Sequence, residues 1–139
     1  MKPFLFGGQV SGPVVSQIGL AVIRVVAGLS LAFAHGLGKL PPPDGFVSLV
    51  DKLGLPLPSL FAWAAGLSEF VGGLLLAVGL MTRPAAMLIA ATMGVAVFGY
   101  HSGDPWAKIE LAALYGGIAI CFACTGSGRF GLDRVVNRM

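Results

Sequence analysis

The chain has 139 residues, of which 56% are hydrophobic and only 11% charged. Typical soluble domains carry about 25% charged residues. Six acids and nine bases cannot cover the surface of a water-soluble fold of this size, so the composition excludes an ordinary soluble domain. The net charge of +3 is spread along the chain. It makes no basic stripe interleaved with aromatics, so nucleic acid is not an expected partner.

The first residues, Met1 to Pro13, carry one lysine and then Gly, Ser and Pro, without a clean apolar run before a small-residue cleavage site. The first hydrophobic helix is therefore expected to be retained. Four apolar stretches follow, at about 14–34, 59–80, 84–100 and 107–125. Each approaches the roughly 20 residues that cross a hydrocarbon core. Pro41, Pro42, Pro43 and Gly45 break the chain after the first span. Phe46, Val47, Leu49, Val50 and Leu53 then recur at helical spacing, which predicts a short interfacial helix. Pro58 and Pro84 suit the first turns of the second and third spans. Thr82-Arg83-Pro84 is a tight connection, and His101 to Pro105 separates the third span from the fourth. The expected fold is all-α: an integral membrane four-helix bundle, up-down-up-down, forming one transmembrane domain over 1–139. The segment 126–139 is expected to be a cytoplasmic tail, with a short amphipathic helix from Arg129 onward.

Lys and Arg in short flanks set orientation. Lys2, Arg83, Arg129, Arg134 and Arg138 fall on one side, and Lys39, Lys52 and Lys108 on the other. This favours both termini in the cytoplasm.

Charges within the spans carry the functional information. Arg24 and Glu69 each lie near the middle of a predicted span, and an isolated charge there costs at least about 2.5–3.5 kcal/mol. With the span ends aligned, the two meet directly or through water. Such a pair is either a structural lock on helix register or a proton- or ligand-binding site. A second cluster, His35, Lys39, His101 and Glu110, gathers at the non-cytoplasmic span ends, where His35, His101 and Glu110 could converge. Two histidines and a carboxylate suit a metal, but no local motif supports one. The alternatives are a polar pocket for a quinone or lipid headgroup, and residues merely solvated at the interface. Cys121 and Cys124 have redox-like spacing. Their apolar helical context reads more simply as small buried residues, leaving redox chemistry a weak candidate.

The order of these residues resembles a known family. Arg24-Val-Val-Ala-Gly28, Ala34-His35-Gly36, Lys39-Leu40 and Leu53-Gly54-Leu55-Pro56 open the pattern. Ala64-Ala-Gly-Leu-Ser-Glu69-Phe-Val-Gly-Gly73 and Gly79-Leu-Met-Thr82-Arg83 continue it. Met93, Ala96, His101, Glu110, Tyr115 and Gly126-Ser-Gly-Arg129-Phe-Gly-Leu-Asp133 complete it. Together they are similar to the DoxX family of small four-helix bacterial membrane proteins. The resemblance implies an inner-membrane protein associated with quinol oxidase or thiosulfate–quinone oxidoreductase systems, or with oxidoreductase complexes that answer oxidative or thiol stress. It carries over no catalytic residue. Arg24, His35, Lys39, Glu69, His101 and Glu110 match its recurring polar positions, and Cys121 and Cys124 fall outside its hallmarks.

The expected function is thus a quinone-linked subunit or accessory of a membrane oxidoreductase, with no intrinsic cofactor or metal and with quinone as the candidate ligand. Its partners would be membrane lipids, a redox partner protein and a second copy of the chain, which the glycine-rich faces would accommodate. The alternative is a non-catalytic membrane protein that binds a lipid or apolar ligand, or scaffolds another protein. Transport is a third reading, without the broken helices that mark transport sites.

Overall fold

The computed structural model describes residues 12–137, and every described element is helical. Helix α1 runs Val14–Ser30 and continues through a π-helical segment, Leu31–Gly36, and a 3₁₀ turn, Leu37–Lys39. Helix α2 is Asp44–Lys52 and α3 is Pro58–Val78. Helix α4, Thr82–Val95, ends in a second π-helical segment, Ala96–Tyr100. Helix α5 is Trp106–Thr125, and α6 is the short turn Asp133–Val136. Among the described residues, four helices are long and apolar enough to cross a membrane: Val14–Lys39, Pro58–Val78, Thr82–Tyr100 and Trp106–Thr125. Lys2 and Arg138, counted above for orientation, and the leader reading of the first residues lie wholly or largely outside the described residues.

The helix boundaries have local causes. Pro58 takes the first turn of α3, where its missing N–H costs nothing. Gly79 ends α3 in the left-handed region at φ 72°. Its N–H and that of Leu80 return to the Leu75 carbonyl at 2.9 and 3.0 Å, which closes the helix end. The first span runs to Lys39, past its expected end at residue 34, because the π-helical turn absorbs Ala34-His35-Gly36 rather than stopping there.

The bundle's core is small and close-packed. Leu31, Leu76, Ile89, Met93 and Phe122, from all four spans, interdigitate with Ala86 and Ala119. Apolar side chains such as Val15, Val26, Phe33, Leu88, Phe98, Leu114 and Ile120 face outward, as lipid contact requires. Lipid gives helices no hydrophobic reason to associate, so close backbone approach matters more than in water. Gly28 and Gly73 provide it between α1 and α3. A Cβ on Gly28 would lie 2.5 Å from the Gly73 carbonyl oxygen, and a Cβ on Gly73 would lie 2.7 Å from that of Gly28. Gly36 is pressed against the Phe70 backbone in the same way, and a Cβ on Gly66 would reach the Lys39 carbonyl at 3.0 Å.

These contacts fix the register of α1 on α3. Gly28 is level with Gly73, and Lys39 with Gly66, so α1 is slid along the bundle toward the end that holds residues 12 and 137, here called the terminal end. The last turn of α1 stops beside the middle of α3. The chain then turns through Leu40–Pro41, a cis peptide bond, and α2 packs against the part of α3 that α1 leaves bare.

Candidate functional site

The slide decides which charges meet. Arg24 reaches Gly79 at the end of α3, and the Lys39 side chain reaches Glu69. The expected Arg24–Glu69 pair does not form. The expectation took the span ends as aligned, whereas the glycine contacts offset them by several turns.

Glu69 is 3% exposed and bonds to Lys39 through both oxygens, at 2.7 and 2.6 Å. Lys39 is 30% exposed, so the carboxylate is closed in and the lysine is the accessible partner of the pair. The Lys39 Nζ also lies 5.2 Å from the centre of the Phe46 ring, placed there by α2, a cation–π distance. The site thus rests on three elements: the end of α1, the middle of α3 and the first turn of α2.

The same level of the bundle holds further polar groups. Thr92 Oγ1 on α4 lies 3.1 Å from Ser68 Oγ on α3, and 3.0 Å from the Leu88 carbonyl oxygen. His35, in the π-helical turn of α1, faces Tyr115 on α5 edge-on, with ring centres 5.6 Å apart. π-helical turns inside longer helices recur at functional sites, because they re-aim one side chain. Here the π-helical turn carries His35. The layer offers ammonium, imidazole and phenol donors beside a carboxylate, within an apolar shell. It can hydrogen-bond a carbonyl-bearing ligand and move protons.

The expected convergence of His35, His101 and Glu110 is not seen. His101 lies nine residues beyond Thr92 on α4, roughly 14 Å further along the bundle. Its Nδ1 is 3.0 Å from Asp104 Oδ2, and its ring meets Tyr100. The hydrogen bond from His101, helped by the nearby Lys108, holds the Asp104 carboxyl below the usual carboxylate range. Glu110 is exposed on α5 and forms no hydrogen bond or ion pair among the described residues. No group of three His, Cys, Asp or Glu side chains that could hold a metal occurs among the described residues. Cys121 and Cys124 are free thiols, and both are exposed rather than buried.

Arg24 belongs to a second polar centre at the terminal end, which sequence reasoning did not assemble. It is 2% exposed, and it donates to the Leu76 carbonyl at 3.0 Å and to the Phe130 carbonyl at 3.4 Å. Asp133, fully buried, is its electrostatic counterpart. The Asp133 carboxylate accepts from the Met81 N–H at 2.7 Å and the Thr82 N–H at 3.1 Å, capping α4 from 51 residues away. The Asp133 N–H returns to the Gly79 carbonyl at 2.8 Å. Gln17 Oε1 accepts from the Arg129 N–H at 3.0 Å. The segment expected as a cytoplasmic tail is therefore folded back onto the bundle, and its helix is only four residues long. The signal for this centre lay in Gly126-Ser-Gly-Arg129-Phe-Gly-Leu-Asp133, whose glycines permit a tight return and whose acid caps a helix.

Comparison with known proteins agrees with this architecture. Residues 19–102 match the DoxX family model. The chain is 33% identical over 128 residues to the inner membrane protein YphA of Escherichia coli, covering 83% of this chain and 89% of that one. It is 32% identical over 121 residues to the putative oxidoreductase CatD of Bacillus subtilis, covering 86% and 88%. It is 26% identical over 132 residues to a second Escherichia coli inner membrane protein, YqjF, covering 89% and 96%. No solved structure gives a significant match. The match to the family model over three of the four spans, together with relatives aligned along nearly their whole length, shows that this membrane protein belongs to the DoxX family.

Proposed function

We propose that the chain is a quinone-linked accessory subunit of a membrane oxidoreductase, with the layer around Lys39 and Glu69 as its quinone site. The observation that carries this reading is a buried carboxylate paired with a partly exposed lysine. Lys39 has three N–H groups, of which two serve Glu69. The third is left for a ligand carbonyl, and His35 and Tyr115 lie at the same depth. Quinone reduction takes up electrons and protons. In this reading the electrons come from a partner protein, and Glu69 and His35 handle the protons. The similarity to a relative named as a putative oxidoreductase supports the reading. We read both termini as cytoplasmic. Support comes from Lys39, which is drawn in to Glu69 and so drops out of the basic count on the opposite end.

Native mass spectrometry of the protein extracted from bacterial membranes tests the proposal. A quinone retained by the wild type, and lost from Lys39→Met and Glu69→Gln, is the expected result. Absence of quinone from the wild type, or a Glu69→Gln protein that sustains full quinone-coupled turnover, contradicts it. A second reading, a non-catalytic binding or scaffolding protein, is favoured by one feature: Lys39 and Glu69 satisfy each other without a ligand. It predicts that Glu69→Gln lowers stability in detergent and changes no turnover.

A further inference from the structure

The outward face of α1 carries a groove of about 390 Å³, lined by Ile18, Ala21, Val22, Val25, Val26 and, from the terminal segment, Phe130. Its lining is wholly apolar. From Ile18 to Val26 it follows α1 for roughly 12 Å. Phe130 joins the lining from the segment after α5. The residue before Phe130 is Arg129, whose N–H is held by Gln17, the neighbour of Ile18. The exposed Arg129 side chain therefore starts from the mouth of the groove. Arg134 stands beside it, with its guanidinium 3.4 Å from the Arg129 carbonyl oxygen.

We propose that this groove binds one anionic phospholipid, with an acyl chain along α1 and the headgroup phosphate on Arg129 and Arg134. An apolar slot on a lipid-facing helix selects a hydrocarbon chain. Two guanidinium groups at its headgroup end select a phosphate, and a net negative headgroup over a zwitterionic one. Each arginine near an anionic membrane surface contributes about 1 kcal/mol, or roughly a fivefold preference. The site lies outside the Lys39–Glu69 layer and does not depend on the function proposed for it.

The test is lipid retention by the full chain, taken from nanodiscs of equimolar phosphatidylglycerol and phosphatidylcholine and read by native mass spectrometry. The wild type should retain phosphatidylglycerol preferentially. Arg129→Gln and Arg134→Gln should each lower that preference about fivefold. Arg129→Gln keeps the Arg129 N–H on Gln17, and Arg134→Gln gives up only an exposed 3.4 Å hydrogen bond to the Arg129 carbonyl oxygen. Val22→Trp fills the slot from a position already 55% exposed and should abolish retention of both lipids. Equal retention of the two lipids by the wild type overturns the proposal. So does an unchanged preference in the double arginine variant, or retained phosphatidylglycerol in Val22→Trp.

Discussion

Lys39 and Glu69 are joined twice, the ammonium of one donating to both carboxylate oxygens of the other, beside the middle of α3 and at the very end of α1. The junction exists because α1 stops there. A helix continuing past Lys39 would carry its next residues along the face of α3. Instead Pro41, Pro42 and Pro43 turn the chain away, and α2 brings Phe46 over the ammonium. A charge pair in a low-dielectric layer is costly to assemble and costlier to break, because the survivor is left without a counter-charge.

Gly28 and Gly73 should tolerate no side chain. Gly28→Val or Gly73→Val drives a methyl group into a backbone that cannot yield, and should lower the detergent melting temperature by the equivalent of about 1–3 kcal/mol or more. Gly19→Ala, on the open side of the same helix with no atom nearby, is the matched control and should leave it unchanged. Thermal unfolding followed by circular dichroism reads both.

Asp133 should matter more than its place in a tail suggests. Asp133→Ala frees the Met81 and Thr82 N–H groups and removes the counterpart of Arg24. Loss of the cap alone is worth about 0.5–2 kcal/mol. Met81, held at a positive φ of 47°, loses its hydrogen bond as well. The loop at Met81 should become sensitive to protease in Asp133→Ala, and limited proteolysis in micelles reads this directly.

The fold was legible because its determinants are local and one-dimensional. Span length, proline breaks and the helical spacing of Phe46 to Leu53 each point to an element without knowledge of its neighbours. The pairing of charges was not, because depth counted from span ends assumes that the ends are flush. The correcting signal was present in the glycines. Gly28 and Gly36 in the first span let its backbone approach Gly73 and Phe70 of the second, and Gly66 leaves room for Lys39. The resulting register carries Arg24 past Glu69 to the Leu76 carbonyl and leaves Lys39 within reach of Glu69. Asp133 was illegible for another reason: a cap supplied from 51 residues away leaves no pattern around the helix it caps.

Asp104 gives a pH signature at the opposite end. Its carboxyl is held low first by the His101 hydrogen bond and then by Lys108. A depressed carboxylate stabilises the folded loop above the unfolded pKa of about 3.9, and that contribution fades as pH falls through the lower folded value. Carbon-detected NMR titration in micelles should therefore find Asp104 titrating below the usual aspartate range. His101→Ala should move it back up.

A double-mutant cycle on the charges of the first two spans asks the decisive question. Lys39→Met alone strands a buried carboxylate and should cost about 3–5 kcal/mol at neutral pH. In the Glu69→Gln background the same change should cost far less, giving a coupling energy of about 1–3 kcal/mol between Lys39 and Glu69. The cycle between Arg24→Met and Glu69→Gln should instead be additive within about 0.5 kcal/mol. Coupling between Arg24 and Glu69, with additivity between Lys39 and Glu69, would contradict the register on which the site is built.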